Sequence, residues 1–331
     1  MAARNLITDV PGLRVGNADD AALASGVTAI IFDQPAVTAV DVRGGAPGTR
    51  ETDLLDAHRT VEKIDAVVLS GGSAFGLDSP SGVQAYLREH GRGFAIGNVT
   101  IPIVAGAVLF DMTNGGDKKW SRFPPYRDLG YAAATAAGFE FALGTAGAGY
   151  GATTLHLKGG LGSASAVTRE GHTVGAIVAV NACGNSNVGS SKQFWAAPFE
   201  IRDEFGGHGF PTKVQADALV PRAKGQPGEN TTIALVATDA ILIKAQAKQL
   251  AVMAQDGFAR ALYPVHTTLD GDTVFAAGTG MKPLRDPVLS ITEIGATAAN
   301  VLARAIARGI YEARALRFAG SKPAWKDKFG Q

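Results

Sequence analysis

Short β-branched runs that are apolar on both faces limit what this chain can fold into. At residues 174–181 and again at residues 232–237, nearly every side chain is apolar, so neither face of such a strand can be left to water. Similar runs lie at residues 27–32, 36–42, 66–70 and 273–277. The pattern predicts strands inside a layered structure, in which other elements cover both of their faces.

Helical periodicity appears in three further segments. Leu77, Val83 and Leu87 fit one face of a helix that follows a Gly-Gly-Ser turn and ends near Gly91. Apolar residues recur at i, i+3, i+4 and i+8 spacing within residues 250–262, and helical spacing also covers residues 294–306. Because strands and helices are mixed along the chain, the predicted class is α/β (α+β), with helices covering sheets.

The composition favours an enzyme-sized globular protein with a small substrate. Of 331 residues, 46% are apolar, which is enough for a full hydrophobic core. The net charge is +1 without a long run of either sign, so we expect neither nucleic acid nor a membrane surface as a partner. The single cysteine, Cys183, excludes an internal disulfide, and the amino-terminal residues lead into no apolar signal segment. We therefore expect a cytoplasmic protein.

One segment has the composition of a linker and ends at a candidate cleavage site. Proline, glycine and charged residues accumulate over residues 210–230, which predicts an exposed and mobile segment. If the Asn230-Thr231 bond were cut, Thr231 would carry a hydroxyl nucleophile and an α-amino group able to act as its base. The strand that follows is too short and too apolar to begin an independent domain. We therefore expect one domain, residues 1–331, cut into chains 1–230 and 231–331.

Familiar catalytic and cofactor motifs are absent or incomplete. The six histidines and the cysteine show no metal-binding spacing, so no metal is expected. Residues 71–75, Gly-Gly-Ser-Ala-Phe, fail the G-x-S-x-G pattern at its last position. Residues 147–152 match the loose dinucleotide pattern G-x-G-x-x-[GA], but no clear amphipathic helix follows, which favours a plain turn. No cofactor is expected.

Five other positions allow both a functional and a structural interpretation. Ser73 could bind substrate at a helix N-terminus or simply cap that helix. Asp270 and Asp272 could orient an ammonium group and a hydroxyl, or form an Asp-Gly β-turn. Asn181 could donate to an oxyanion and Lys158 could stabilise charge near a nucleophile, or the first could cap a turn and the second lie on the surface. Spacing alone does not decide between these interpretations.

Four motifs taken together resemble a known family. They are V-D-V-R-G-G-A-P-G-T-R-E-T at residues 40–52, L-S-G-G-S-A-F-G-L at 69–77, K-G-G-L-G-S-A-S at 158–165 and N-T-T at 230–232. In order and content they resemble the DmpA-type family of self-cleaving N-terminal-nucleophile hydrolases. That family includes L-aminopeptidase D-amidase/esterases, β-aminopeptidases and nylon-oligomer hydrolases. The resemblance runs from about residue 7 to about residue 313.

This resemblance implies a four-layer α-β-β-α sandwich of the DmpA/ornithine-acetyltransferase type, cut into two chains that stay together. Thr231 corresponds to the nucleophile and Asn230 to the residue before the cut. Asn181 is similar to the family's oxyanion-side asparagine. Asp270 and Asp272 best match the paired aspartates of the nylon-oligomer hydrolases.

Two further points come from the same resemblance. Lys158 is similar to the active-site lysine of the nylon-oligomer branch. The aminopeptidase members usually have a serine nucleophile and a Ser/Glu pair where this chain has two aspartates, and they need a carboxylate to hold the substrate's free amine. Exo- and endo-cleavage therefore both remain open.

The expected function is that of a self-processing hydrolase of small peptides or amino-acid oligomers, assembled as a tetramer of cleaved heterodimers. Thr232 is a competing nucleophile. One alternative is an acyltransferase of the ornithine-acetyltransferase type, which passes the acyl group to an amine. The other is a non-catalytic nucleotide-binding protein that uses residues 147–152.

Overall fold

The computed structural model describes residues 4–224, 230–318 and 321–330. The strands are β1 (Leu13–Asp20), β2 (Ser25–Val42), β3 (Thr49–Arg50), β4 (Lys63–Ser70), β5 (Phe94–Ile96), β6 (Val99–Ile101), β7 (Val104–Val108), β8 (Gly160–Val167), β9 (Thr173–Asn181), β10 (Thr231–Ala240) and β11 (Thr273–Lys282). The α-helices are α1 (Ser79–Glu89), α2 (Tyr126–Thr135), α3 (Lys244–Ala254), α4 (Asp256–Ala259), α5 (Leu289–Tyr311) and α6 (Trp325–Phe329).

Within the described residues, nine strands form one mixed sheet that folds over into two layers. The strand order is β3-β7-β4-β2-β11-β10-β9-β8, and β1 pairs with β2 outside this path. The long strand β2 joins the layers, because its first half pairs with β1 and β4 and its second half pairs with β11. A register shift between Ile31 and Ala36 marks the change of layer. The remaining strands, β5 and β6, form a separate hairpin.

Alternation along the strands distributes the buried side chains among three cores. Ile30 of β2 and Leu235 of β10 lie in the core between the two sheet layers. Their neighbours point the other way: Ile31 packs in a core with α1 and α2, and Val236 packs in a core with α3 and α5. The order of layers is therefore helix, sheet, sheet, helix. This is the predicted α-β-β-α sandwich.

Most predicted elements are present, with shifted bounds. The two runs at residues 27–32 and 36–42 are parts of one continuous strand, β2, rather than separate strands. The helix expected over residues 250–262 is two helices, α3 and α4. A 3₁₀ helix, Ser73–Asp78, precedes α1, so Leu77 lies outside the α-helix to which its spacing assigned it.

The linker is exposed along most of its described part. Residues 211–224 are mainly exposed and contain only a short 3₁₀ helix, Ala216–Leu219, while residues 225–229 lie outside the described part of the chain. No α-helix in the described ranges is both long and apolar enough to span a membrane.

Candidate active site

The ends of adjacent strands meet at one edge of the sheet and bring the candidate residues together. Thr231, at the start of β10, pairs directly with Asn181 at the end of β9. Gly160, at the start of β8, pairs with the residue before Asn181, so Lys158 lies at the same edge. On the other side of β10, Ile233 pairs with Thr273, which places the 270–272 turn beside Thr231. Strand pairing thus assembles residues that are far apart in sequence.

Thr231 and Thr232 point to opposite faces of β10. Thr231 lies on the same face as Ile233 and Leu235, towards the space between the two sheet layers, whereas Thr232 points towards the helices. The Thr231 hydroxyl donates a hydrogen bond to the carbonyl oxygen of Asn230, the residue immediately before it. The Thr231 hydroxyl therefore lies against the carbonyl group that self-cleavage would attack.

That same carbonyl group receives a second hydrogen bond from a backbone amide. The Gly271 N–H donates to the Asn230 oxygen at 2.9 Å. A Cβ at position 271 would lie 2.7 Å from Thr231 Oγ1, so the turn passes very close to the Thr231 hydroxyl. A backbone donor aimed at a carbonyl oxygen can stabilise the negative charge that develops there during attack. Sequence reasoning considered Gly271 only as part of an Asp-Gly turn.

Asp270 and Asp272 are buried, and their oxygens are occupied by hydrogen bonds from the protein. Asp270 accepts from the Cys183 N–H at 3.1 Å and from the Thr267 N–H and hydroxyl at 3.1 and 2.7 Å. Burial, followed by the nearby charge of Asp272, raises the pKa of Asp270. The two aspartates flank a turn that lies against Thr231, so the turn interpretation and the active-site interpretation are compatible with each other.

Asp272 fixes the second residue of β10 and a histidine. Its Oδ1 accepts from the Thr232 N–H at 2.9 Å, and its Oδ2 lies 2.9 Å from His266 Nδ1 and accepts from the His266 N–H at 3.1 Å. Both aspartates are engaged with protein donors in this structure, and their orientation of a substrate ammonium stays a prediction. His266 was not selected from the sequence, since it has no metal-like or triad-like spacing.

Both the oxygen and the nitrogen of the Asn181 side-chain amide form hydrogen bonds. Its Oδ1 accepts from the Thr153 N–H at 2.9 Å and from Lys224 Nζ at 3.1 Å, and its Nδ2 donates to the Phe110 oxygen at 3.0 Å. It is a buried amide directly across from Thr231, not a turn cap. Lys224, which has no motif around it, was not anticipated from the sequence.

Lys158 is buried, contrary to the surface alternative, but in this structure its ammonium does not contact the Thr231 hydroxyl. Its three donors go to the carbonyl oxygens of Gly149, Ala152 and Gly159, at 2.8 to 2.9 Å. Burial lowers the pKa of Lys158 from 10.5 to about 7, opposed by the charge of Asp111.

Residues 147–152 take part in this lysine site instead of a nucleotide site. Gly147–Gly149 is a buried 3₁₀ helix, and the next element is the strand β8, not the α-helix that a dinucleotide site requires. A Cβ on Gly149 would lie 2.0 Å from the Leu161 nitrogen, so the glycine permits close packing against β8. The motif is a turn, and two of its carbonyl groups bind Lys158.

A pocket of about 430 Å³, which we call the Thr231 pocket, opens beside the Thr231 side chain. It is lined by Thr231, by residues 46–49, by Ser73, Ala74 and Leu77, and by residues 108–110. Ser73 lies in this pocket and does not cap the helix, because Gly72 holds the N-cap position. A second cavity of about 170 Å³ contains Lys158 and Lys224, and Phe110 contributes to both cavities.

These groups can support attack by a hydroxyl on an amide. A hydroxyl nucleophile, a backbone donor to the attacked carbonyl, a buried side-chain amide and an adjacent pocket are the parts that acyl-transfer chemistry requires. Within the described residues, no cluster of three or more His, Cys, Asp or Glu side chains is arranged to hold a metal ion.

Comparisons with known proteins agree with this chemistry. The profile of Peptidase family S58 matches residues 5–322. An uncharacterized aminopeptidase of Mycobacterium tuberculosis is 43% identical, over 98% of this chain and 98% of the relative. A 6-aminohexanoate-oligomer endohydrolase of Kocuria sp. is 29% identical, over 82% of this chain and 74% of the relative. A solved structure of a Burkholderia sp. beta-aminopeptidase superposes with a TM-score of 0.72 at 22% identity, covering 98% of this chain and 92% of the other.

Proposed function

The chain belongs to Peptidase family S58 and is a hydrolase of amide bonds, and on this premise we propose that Thr231 is its nucleophile after self-cleavage at Asn230-Thr231. The sequence resemblance to the DmpA-type family is thereby confirmed, whereas the roles of individual residues are our proposal. The observation that carries it is the contact of the Thr231 hydroxyl with the Asn230 carbonyl, to which Gly271 also donates.

Self-cleavage begins with attack of Thr231 Oγ1 on the Asn230 carbonyl carbon. The peptide C–N bond breaks, the nitrogen takes the hydroxyl proton, and an ester links Asn230 to the Thr231 oxygen. Water then hydrolyses the ester, which leaves a carboxylate on Asn230 and a free hydroxyl and α-amine on Thr231. The Gly271 N–H stabilises the oxyanion, a contribution of about 3 to 4 kcal/mol for one well-placed donor.

Substrate hydrolysis then uses the group that the cut released. The new α-amine, with an unperturbed pKa of about 7.7–8.0, takes the Thr231 hydroxyl proton as Oγ1 attacks a substrate amide. Asn181, directly across from Thr231, supplies the amide donor to the tetrahedral oxyanion. Asp270 and Asp272 hold the strand ends in place, and Lys158 holds the adjacent turn through its hydrogen bonds to the Gly149 and Ala152 carbonyl oxygens. Collapse of the tetrahedral intermediate breaks the amide C–N bond, and the leaving nitrogen takes the proton held by the α-amine. Water then hydrolyses the ester, which releases the acyl group as a carboxylic acid and restores the Thr231 hydroxyl.

The proposal also includes the substrate class, the oligomeric state and the cellular location. The substrates are small peptides or oligoamides, which matches the size of the Thr231 pocket. Cleaved heterodimers associate as a tetramer, which would cover the exposed apolar side chains of the β5-β6 hairpin, namely Phe94, Ile96, Val99 and Ile101. The single, unpaired Cys183 is compatible with the cytoplasm.

Separate measurements test the two alternatives, an acyltransferase and a nucleotide-binding protein. An acyltransferase would pass the acyl group from Thr231 to ornithine instead of water, so product analysis with ornithine present distinguishes it. A nucleotide-binding protein would bind dinucleotides at equilibrium through residues 147–152. The nucleotide-binding alternative is disfavoured, because the carbonyl groups of Gly149 and Ala152 are engaged with the buried Lys158.

Single substitutions at Thr231 and at Thr232 test the proposed nucleophile. We expect Thr231→Ala to abolish both chain cleavage and amide hydrolysis, and Thr231→Ser to retain both, because serine keeps the hydroxyl. Thr232→Ala is the matched control, since that side chain points towards the helices, and it should still cleave. Hydrolysis of amides by the Thr231→Ala protein would disprove the proposal.

A further inference from the structure

The neighbours of the buried Asn181 side chain allow its amide only one orientation. Its Oδ1 faces two donors, the Thr153 N–H at 2.9 Å and Lys224 Nζ at 3.1 Å, and its Nδ2 faces the Phe110 carbonyl oxygen at 3.0 Å. A flipped amide would bring its NH₂ group against both donors and its oxygen against the Phe110 oxygen. Phe110 also lines the Thr231 pocket, so the nitrogen end of the amide lies on the side of that pocket.

The ammonium that holds the Asn181 oxygen belongs to Lys224 and not to Lys158. Lys158 gives its three donors to backbone carbonyl oxygens, so none is left for Asn181. Lys224 Nζ donates to Asn181 Oδ1, to the Thr153 carbonyl oxygen at 2.8 Å and to the Thr153 hydroxyl at 3.1 Å. Because a hydrogen bond from a charged donor is stronger than one from a neutral donor, Lys224 contributes more to the amide orientation than the Thr153 N–H does.

Lys224 lies in the segment that precedes the proposed cut, and contacts away from the scissile bond hold it in place. Its N–H donates to the Cys183 carbonyl oxygen at 3.1 Å. Further upstream, the Tyr263 hydroxyl donates to the Leu219 carbonyl oxygen at 2.9 Å. These contacts and those of the ammonium do not involve the peptide bond that is cut. Lys224 therefore keeps its position in the cleaved enzyme, near the new carboxyl terminus of the large chain.

We propose that Lys224 is a positioning residue of the cleaved enzyme, whose ammonium holds the Asn181 amide with its nitrogen towards the substrate oxyanion. The carboxyl-terminal tail of the large chain is thus part of the active site and not a remnant of processing. This inference rests on the proposed function, because Lys224 acts only through the role given there to Asn181. Self-cleavage does not depend on it, since the Gly271 N–H donates to the carbonyl that is attacked in that step.

Lys224→Met tests the inference by separating the two reactions of Thr231. Methionine keeps the unbranched apolar stem but not the ammonium, and the Asn181 oxygen retains its bond from the Thr153 N–H. We expect self-cleavage within about 2-fold of the wild-type rate, but a kcat for amide hydrolysis lower by about 10- to 100-fold with little change in KM. Denaturing gels follow the cleavage. Hydrolysis is measured with whichever compound of a small panel of acyl and aminoacyl 4-nitroanilides the wild-type enzyme hydrolyses fastest.

Lys322→Met is the matched control for the loss of charge. Lys322 lines the same cavity as Lys224, but its ammonium donates to the Leu155 carbonyl oxygen. The substitution therefore removes one positive charge from the cavity and leaves the Asn181 contacts in place. We expect its kcat to stay within about 2-fold of the wild-type value.

A double-mutant cycle shows whether Lys224 acts through Asn181. We expect Asn181→Ala to lower kcat by about 100- to 1000-fold, the usual cost of losing one oxyanion donor. When Lys224→Met is added to Asn181→Ala, kcat should change by less than about 2-fold, because the amide that the lysine orients is already gone. A purely structural role of Lys224 would instead give losses that multiply.

The outcomes separate this inference from the function on which it rests. A wild-type kcat in Lys224→Met, an equal loss in Lys322→Met, equal slowing of both reactions, or multiplying losses in the cycle would overturn the inference and leave the Thr231 hydrolase intact. Full activity of Asn181→Ala would overturn the proposed role of Asn181, and retained hydrolysis in Thr231→Ala would overturn the proposed nucleophile.

Discussion

At the scale of single residues, the alternation of side chains along β10 is the reason that we propose Thr231, and not Thr232, as the nucleophile. Thr231 points between the sheet layers and lines a pocket, whereas Thr232 points towards the helices. A one-residue change in strand register would exchange these positions. The backbone hydrogen bond from Thr232 to Asp272 and the pairing of Thr231 with Asn181 fix that register at the active site.

Gly271 is a position where one methyl group should displace the proposed nucleophile, Thr231. A Cβ there would lie 2.7 Å from Thr231 Oγ1 and 2.7 Å from the Ala46 oxygen. We expect Gly271→Ala to slow self-cleavage by about 100-fold, because displacement of a reacting group by about 1 Å costs that much. The uncleaved fraction, followed over time on denaturing gels, measures the rate. Gly138→Ala is the control, since its Cβ would have no neighbour closer than 3.9 Å, and equal rates in both variants would contradict the geometry.

Lys158 should make stability depend on pH. Burial lowers its pKa from 10.5 to about 7, so between these values the unfolded chain binds one more proton than the folded chain. With respect to this lysine, the free energy of unfolding is therefore highest above pH 10.5. It decreases as the pH falls from 10.5 to about 7, by up to about 1.4 kcal/mol per pH unit.

The measurement compares melting temperatures of chains with Lys158 and with Lys158→Met, both carrying Thr231→Ala to prevent cleavage. From pH 7 to pH 9 the lysine chain should gain stability relative to the methionine chain. A difference that stays constant with pH would show that Lys158 is not buried as described.

Sequence reasoning identified most of the residues at this edge of the sheet but not their contacts. Thr231, Asn181, Asp270 and Asp272 do meet, because they lie at strand ends that the sheet brings together. The donor Gly271 could not be predicted, since any residue except proline carries a backbone N–H. Lys224 and His266 have no distinctive spacing, and only the folded chain places them near Asn181 and Asp272.

At the scale of elements, strands apolar on both faces were the most predictable part of the chain. The runs leading to β9, β10 and β11 are buried on both sides, so their sequence carries a strong signal. β8 was missed, because its sequence, Gly-Leu-Gly-Ser-Ala-Ser-Ala-Val, is rich in small residues. Those small residues are explained by the closeness of α5, which a local pattern does not reveal.

Gly162 shows how closely α5 packs on β8. A Cβ at this position would lie 1.8 Å from the Ala305 oxygen and 2.7 Å from the Gly309 nitrogen. Since the obstacles are helix backbone atoms, the elements must move apart, and we expect Gly162→Ala to lower the free energy of unfolding by about 1–3 kcal/mol. Urea titration of the Thr231→Ala chain with and without Gly162→Ala measures the loss. A change no larger than that of Gly138→Ala would refute this packing.

At the scale of the whole molecule, the proposed cut lies inside a continuous sheet. β10 begins at Thr231 and lies between β9, which precedes the cut, and β11, which follows it. β11 in turn pairs with β2 from the first part of the chain. The two chains would thus share one sheet and the cores on both sides of it, which the sequence could indicate only through the family resemblance.

The cleaved chains should therefore remain together until the protein unfolds. We expect chains 1–230 and 231–331 to elute as one species in size-exclusion chromatography without denaturant, and to separate only in urea or guanidinium chloride. Separation of the folded chains under native conditions would mean that β10 is not held between β9 and β11.

Mass spectrometry of the purified protein under denaturing conditions tests the central claim most directly. The account predicts two chains of about 24 and 10 kDa, the proportional shares of 34.0 kDa, with the smaller one beginning at Thr231. A preparation that hydrolyses amides while giving only the intact mass of 34.0 kDa, or a smaller chain that begins at another residue, would contradict it.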